Sequence, residues 1–298
     1  MQNQIVQRGD YIYGKQDEFA SPIVVEKFKL IFFLVPGVEE DLWIRMFRRI
    51  MGYRDWQTST SQRGLKHLYD YSPRQASKLM MDPRYTRAMF VRDPKERISI
   101  AYTNEAVKMQ CCNRHHTEEK SCSATVSRCV SFWELIHICD QPHWRPQGKR
   151  MEPKYFETLN FVGHMSTIRE DAHRLLTSIG AWDKFGKNGW QGVSTHSSSF
   201  IELISSNATR GYNFPGMGKC YGEVGVDYFY QSDYNIKKLN LTTARSRSCK
   251  DIIAAEREAV NRKRKTPTFV REGQRMTVIR HGQKVTLVRR GSKWIATK

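Results

Sequence analysis

Residues 90–102, FVRDPKERISIAY, place an arginine between a predicted buried strand and a predicted helix. Asp93 is suited to the N-cap, Pro94 to the first helical position, and Glu96 completes an Asp-x-x-Glu capping box. The first amides of a helix have no intrahelical partner, so a guanidinium beside them is well placed to bind a phosphate group. Arg92 is therefore a candidate phosphate ligand. The alternative is an ordinary ion pair between Arg92 and Asp93 or Glu96.

A histidine further along the chain is the best candidate for proton transfer. His143 stands in the sequence HWRPQ (143–147), and histidine is the residue type best suited to general-base chemistry at neutral pH. The alternative is a structural histidine that fixes an irregular loop. Cysteines and histidines between residues 111 and 129 lack the paired spacing of common structural zinc sites, so we expect no metal site there. The seven cysteines are odd in number and do not decide the redox compartment.

Four segments, in order, resemble the carbohydrate sulfotransferases, the membrane-anchored Golgi family that includes the chondroitin and dermatan enzymes. They are VRDPKERISIAY (91–102), HWRPQ (143–147), NFVGH (160–164) with Glu170 and Asp171, and YQSDY (230–234) with LNL (239–241). The resemblance extends over about residues 29–241. It implies an α/β fold of the P-loop-like sulfotransferase type, in which flanking helices cover a central, mostly parallel sheet.

The same resemblance implies transfer of sulfate from 3′-phosphoadenosine 5′-phosphosulfate (PAPS) to a carbohydrate hydroxyl. PAPS is then the expected co-substrate and a glycan the expected acceptor. Arg92 and Ser99 are the implied ligands of the 3′-phosphate, and His143 is the implied catalytic base. The resemblance also implies a glycoprotein of the Golgi lumen, and Asn207 and Asn240 stand in glycosylation sequons. The sequence contains no apolar segment that predicts a signal anchor.

The loop expected to hold the 5′-phosphosulfate keeps the apolar and proline positions of the family pattern but lacks its lysine and threonine. Family loops typically read Val-Pro-Lys-Val-x-x-Thr-x-Trp, and the equivalent segment here is VPGVEEDLW (35–43). The candidate donor-loop residues are Pro36, Gly37, Val38 and Trp43. Gly37 replaces the lysine and Asp41 replaces the threonine. Three successive carboxylates (39–41) face the donor, and one like-charge pair about 5 Å apart costs roughly 3 kcal/mol at an effective dielectric constant near 20.

The three carboxylates also have an ordinary interpretation. An acidic first turn is stabilised by the helix macrodipole, so the chain's own side chains would fill the N-terminus of this helix in place of phosphate.

The expected 3′-phosphate clamp departs from the family pattern as well. The family's serine position is Ile100, and the nearest serine is Ser99. One residue of an α-helix is a rotation of about 100°, so Ser99 is expected to point elsewhere unless the helix is wound differently there.

The chain divides by composition into an N-terminal arm (1–28), a sulfotransferase-like domain (29–244) and a basic linker with a tail (245–298). Hydrophobic patterns predict strands at 30–35, 87–91 and 161–162. They predict helices at 39–51, 130–139, 168–179 and 226–239. Residues 109–131 are predicted to be an inserted loop, and residues 183–222 long loops with little order.

The tail contains a nine-residue repeat at 272–280, 281–289 and 290–298, with one glycine in each copy. This repeat predicts a small basic β-meander of three strands with turns at the glycines. Residues 261–298 hold twelve Lys or Arg and one acid, so they carry +11 of the formal net charge of +19. Such a tail suits an acidic polymer. Nucleic acid is a poorer match, because Trp294 is the only aromatic residue of the repeat and a stacking platform needs more.

Three functions remain open. The first is sulfate transfer from PAPS to a glycan, with catalysis itself in question because the lysine is absent. The second is a catalytically inactive relative that binds a glycan or another polyanion. The third is binding of a polyanion or nucleic acid through the tail.

Overall fold

The computed structural model describes residues 4–13, 19–101, 142–194, 197–206 and 225–242, and four strands between residues 268 and 297. The chain forms two compact units, Met1–Thr243 and Ala244–Lys298. The loop predicted at 109–131, the helix predicted at 130–139 and all seven cysteines lie outside the described residues.

The first unit is a layered α/β structure. Its strands are β1 (Ile23–Val25), β2 (Leu30–Phe33), β3 (Thr86–Val91) and β4 (Phe161–His164). Its helices include α1 (Glu40–Ile50), α2 (Pro73–Met81), α3 (Pro94–Ala101), α4 (Pro153–Phe156), α5 (Ile168–Ser178), α6 (Phe200–Ser206) and α7 (Gln231–Asn235). The sheet order is β1-β2-β3-β4, with β1 antiparallel to β2 and the other neighbours parallel. The predicted α/β fold with a mostly parallel sheet is confirmed.

The parallel pairing of β2 and β3 decides where the functional residues meet. β2 is a run of four buried apolar residues, as expected for a strand covered on both faces. Ligands of such sheets bind at the carboxyl ends of the strands. The loop after β2 and Arg92, which follows β3, therefore lie side by side.

Trp43 is the centre of the core on one side of the sheet. Its ring centroid lies 4.7 Å from that of Phe32, 4.8 Å from that of Phe90 and 5.1 Å from that of Phe200. Aromatic pairs at these distances add to the stabilisation that burial provides. Phe200 belongs to α6, so this helix is part of the core that supports α1.

The prediction of little order across residues 183–222 is wrong where the structure describes them. A π-helical turn spans Trp182–Gly186, and α6 buries Phe200 and Ile204 completely. A capping box starts α6, because the Glu202 amide donates to Ser199 Oγ (3.2 Å) and the Ser199 amide donates to Glu202 Oε2 (3.3 Å). The Gly, Ser and Asn content of the region concealed this signal.

The last predicted helix, 226–239, is also shorter in the structure. Residues 225–229 are helical, a turn follows at Tyr230, and α7 then spans Gln231–Asn235. Lys237–Leu239 form a separate 3-10 turn.

The second unit contains a four-stranded antiparallel meander where three strands were predicted. Its strands are β5 (Thr268–Glu272), β6 (Arg275–Arg280), β7 (Gln283–Arg290) and β8 (Lys293–Thr297), paired in chain order. The repeat accounts for β6, β7 and β8. β5 precedes the first copy, and Phe269 pairs with Val278 across the ladder, so the additional strand carries no repeat signature of its own.

Gly163 is required by the packing of the strand next to it. Gly163 pairs with Phe90 between β4 and β3, and a Cβ at this position would lie 2.3 Å from Phe90 Cε1. We predict that Gly163→Ala destabilises the first unit by roughly 1–3 kcal/mol, since the core ring must leave its rotamer. Thermal unfolding measures this loss. Gly9→Ala is the matched control, because a Cβ at Gly9 meets nothing within 4 Å; equal melting temperatures for the two variants would contradict the prediction.

Candidate functional site

The loop between β2 and α1 forms a cradle for an anion, and the chain's own Glu40 occupies it. Gly37 (φ 81°) and Glu39 (φ 56°) are left-handed, a geometry that turns successive amides toward one side. Glu40 Oε2 accepts a hydrogen bond from the Gly37 amide at 2.9 Å and one from the Val38 amide at 3.2 Å. The Val38 amide also lies 3.1 Å from the Val35 carbonyl. The predicted acidic first turn is present, and one of its acids, Glu40, accepts hydrogen bonds from amides of the loop that precedes α1.

Glu40 is ionised by its surroundings and contacts the candidate base. Burial alone would raise the pKa of Glu40, but the nearby His143 ring and the hydrogen bond from the Gly37 amide outweigh burial and hold this pKa below its ordinary value. The second carboxylate oxygen, Oε1, lies 3.6 Å from His143 Nε2. The His143 ring also makes an edge contact with Phe19, at 6.1 Å between centroids.

Arg92 is buried beside the same loop. One of its terminal nitrogens donates to the Gly37 carbonyl at 2.9 Å, and the other lies 3.3 Å from Glu39 Oε1. Its Nε is buried and has no hydrogen-bond partner among the described residues. Arg92 therefore contacts the preceding loop in place of the ion pair with Asp93 or Glu96, which was the alternative from the sequence. Asp93 instead caps α3, accepting from the Lys95 amide at 2.7 Å.

Arg97 fixes the loop to the segment that contains His143. It is completely buried, and its three nitrogens donate to the carbonyls of Pro36 (2.7 Å), Arg145 (2.8 Å) and Pro142 (2.8 Å). The planar guanidinium presents its donors in a fixed fork, so three backbone positions are set at once. Arg97 therefore determines where His143 stands relative to the cradle.

A buried network of backbone bonds fixes the HWRPQ segment from its other side. The Gln147 side chain donates to the Arg92 carbonyl (2.9 Å) and accepts from the Arg92 amide (3.0 Å). Asp233 accepts from the amides of Gln147 (3.0 Å) and Gly148 (2.7 Å), and the Tyr230 hydroxyl donates to the Trp144 carbonyl. The segments 143–147 and 230–234 thus contact each other. This contact gives Gln147, Tyr230 and Asp233 a structural role.

A buried ion pair joins α3 to the same region. Lys95 Nζ lies 3.0 Å from Asp227 Oδ1, and the Tyr234 hydroxyl lies 3.1 Å from the same oxygen. Both charged side chains are almost fully buried. Removing either partner alone would leave an uncompensated buried charge, so the pair holds the two segments in one arrangement.

Two cavities meet at Glu40, Asp41 and His143. The smaller, of about 190 Å³, lies on the side of Arg92 and is lined also by Gly37, Glu39, Ile100 and Ala101. The larger, of about 870 Å³, opens on the other side of His143, between α1 and residues 60–70. His143 therefore stands between a compartment beside the cradle and a roomier one that could admit a second molecule.

The wall of the larger cavity is positioned by α1 and carries an unsatisfied amide. Arg48 of α1 donates to the carbonyls of Ser61 and Arg63, both at 3.0 Å, and so fixes the segment around Gln62. Both polar atoms of the Gln62 side chain are buried and have no hydrogen-bond partner among the described residues. Phe19 and Tyr69 contribute aromatic surface to the same cavity.

The comparison with protein families decides the affiliation of this chain. The model of a family described as the sulfotransferase family matches residues 21–212, well over half of the chain. The chain belongs to the sulfotransferase family. No curated protein and no solved structure matches it. The narrower chondroitin and dermatan type stays a prediction.

The sulfotransferase family generally uses PAPS, but the residues present do not fit this donor in the arrangement described. Glu40 takes the cradle amides, and Glu39 occupies one arm of Arg92. A lysine cannot simply replace Gly37, because φ is positive there and a Cβ would lie 3.3 Å from Arg97 Cγ. The cavity beside Arg92, about 190 Å³, is also smaller than the roughly 300–1,000 Å³ typical of ligand pockets.

The remaining sequence candidates lie around the cradle, in different roles. Pro36 accepts the Arg97 bond, and Val38 and Trp43 are buried in the core. Ser99 is buried on α3, and it is the next residue, Ile100, that lines the smaller cavity.

Several site residues escaped sequence analysis. They are Arg97, Gln147, Asp233 and Gln62; of the three acids at 39–41, the sequence also did not indicate that Glu40 is the one that enters the cradle. For Gln147 and Asp233 the signal was present in the HWRPQ and YQSDY matches, but no local pattern connects residues 86 positions apart.

The described residues hold neither a metal cluster nor a membrane span. Within them, no group of three or more His, Cys, Asp or Glu side chains is arranged to hold a metal ion. No helix in this part of the chain is long and apolar enough to cross a membrane.

The low pKa of Glu40 predicts an acid-sensitive contribution to stability. Its ionised form is favoured in the folded state, so the contribution is complete above the ordinary value of 4.5 and is lost as the pH falls through the lower folded-state pKa. We predict that the free energy of unfolding of wild type exceeds that of Glu40→Gln near neutral pH, and that the gap narrows in acid.

Chemical denaturation of both proteins between about pH 7 and pH 3 measures the gap. Other carboxylates, such as Asp10 and Asp171, are common to both proteins and cancel in the difference. A gap that stays constant across this range would contradict the assignment.

Proposed function

We propose that this sulfotransferase-family protein binds a carbohydrate in the larger cavity and does not use PAPS while Glu40 occupies the cradle. It is then a catalytically inactive relative that keeps the acceptor side of the fold. The observation that carries the proposal is the pair of hydrogen bonds that the Gly37 and Val38 amides donate to Glu40. Because these two amides are occupied, they cannot bind the anionic groups of PAPS.

Electrostatics supports the closed donor side. Glu39, Glu40 and Asp41 all line the smaller cavity, and Arg92 already contacts Glu39. A donor with several negative charges would meet these carboxylates without a lysine to offset them. Each like-charge contact about 5 Å apart costs roughly 3 kcal/mol at an effective dielectric constant near 20.

The lining of the larger cavity supports a carbohydrate as its ligand. A sugar presents hydroxyl groups, which donate and accept hydrogen bonds, and apolar ring faces. The cavity offers a buried amide at Gln62, hydroxyls at Thr60 and Ser61, and aromatic surface at Phe19 and Tyr69. An amide donates through its nitrogen and accepts through its oxygen, so a rotation of the buried Gln62 side chain into the cavity would let it engage two neighbouring hydroxyls. The volume of about 870 Å³ accommodates more than one sugar unit.

One specific observation favours a second function, sulfate transfer from PAPS to a carbohydrate hydroxyl. His143 lines both cavities, which is the place a base needs in order to take a proton from an acceptor hydroxyl. For this function the cradle must first release Glu40.

Carbohydrate binding has a direct test. We predict that Gln62→Ala lowers affinity for the bound oligosaccharide about tenfold, since a buried amide bonding two hydroxyls is lost. The measurement is titration of wild type with immobilised chondroitin, dermatan and neutral oligosaccharides, followed by the variant on those that bind. Gln191→Ala, which removes an exposed amide outside the cavity lining, is the matched control. Failure of wild type to bind any of these glycans, or equal losses in both variants, would refute the cavity assignment.

The donor side is tested separately. We predict that PAPS and its desulfated product leave the melting temperature of wild type unchanged at about 1 mM, because a ligand stabilises the folded state measurably only when its concentration approaches or exceeds its Kd. Release of the desulfated nucleotide in the presence of glycan, lost in His143→Ala, would instead establish the second function.

A further inference from the structure

The carboxylate in the cradle stands where an external oxyanion would be bound. Glu40 Oε2 lies 2.9 Å from the Gly37 nitrogen and 3.2 Å from the Val38 nitrogen, and the side chain is only 15% exposed. Such concave pairs of amides bind anions in general. The cradle is therefore an anion site whose occupant, Glu40, comes from the first turn of α1.

A second feature of the site points to an external ligand. Arg92 is 3% exposed, lines the cavity that Glu40 also lines, and has a buried Nε with no hydrogen-bond partner among the described residues. A buried donor without a partner costs free energy that a bound acceptor would recover. A carboxylate has two oxygens, and in Glu40 these are directed at the cradle and at His143. A tetrahedral oxyanion has further oxygens with which to reach such a donor.

We propose that Glu40 is an internal competitor that keeps oxyanions out of the cradle, and that its removal converts the cradle into a binding site for one sulfate or phosphate group. The tethered carboxylate competes at a high effective concentration, and its charge repels the incoming anion. The contact is thus an autoinhibitory device within the donor side. The inference rests on the closed cradle of the proposed function and is independent of the carbohydrate.

The experiment compares wild type, Glu40→Ala and Asp41→Ala. Asp41→Ala removes the same charge from the same helical turn and the same cavity wall, while Glu40 remains on the cradle amides. Melting temperature is measured against inorganic sulfate and, separately, phosphate, each exchanged for chloride at constant ionic strength. We expect the melting temperature of Glu40→Ala to rise with the logarithm of the anion concentration, as one-site binding to the folded state requires, with an affinity about tenfold or more above that of the other two proteins.

Each outcome decides the proposal. Equal responses of Glu40→Ala and Asp41→Ala would overturn it, since general charge reduction would then account for anion binding. If Glu40→Ala does not fold, Glu40→Gln takes its place, because the amide keeps the shape of the side chain and loses the charge. The Gln variant must then bind sulfate more tightly than Asp41→Ala does, and the proposal fails if it does not. No glycan is present, so failure of the carbohydrate assignment and failure of this inference are seen in different measurements.

Discussion

The buried guanidinium of Arg97 holds together the parts on which the site depends. Three donors in one plane bind carbonyls of the cradle and of the segment that carries His143. Arg97 is completely buried, so separating these carbonyls from it would leave a buried charge without partners, and this cost keeps both segments in place. The contact between Glu40 and His143 follows from this arrangement. Arg92, the candidate phosphate ligand from its sequence context, is less important than Arg97 for holding this arrangement.

Two of the segments that carry the family resemblance, 143–147 and 230–234, have a structural role. Gln147 bonds the backbone on both sides of Arg92, and Asp233 bonds the backbone of Gln147. Lys95 and Asp227 add a buried ion pair to the same contact. A sequence can therefore retain these motifs because the fold needs them, whether or not sulfate is transferred. Family membership is accordingly a firmer conclusion than catalysis.

The sequence predicted what is decided locally. Strand β3, the Asp93 cap and the acidic start of α1 depend on residues within one or two turns, and each is present in the structure. The particular carboxylate that enters the cradle could not be predicted, because it depends on the left-handed backbone of Glu39. Gln62 and Asp233 act through tertiary contacts, which no spacing reveals. The capping box of helix α6 is also local, but the Gly, Ser and Asn content around it predicts loops.

Gly37 and Arg97 together limit how this protein can change. The backbone at Gly37 suits glycine, and the space beside it is filled by the Arg97 side chain. A lysine introduced here meets both obstacles, and moving Arg97 aside would detach the His143 segment. The effect of a lysine at position 37 on stability thus depends on the position of the Arg97 side chain. Such dependence of one substitution on another residue is epistasis. Gly37→Lys alone would therefore be strained, and an engineered donor site would have to rebuild the loop and its anchor together.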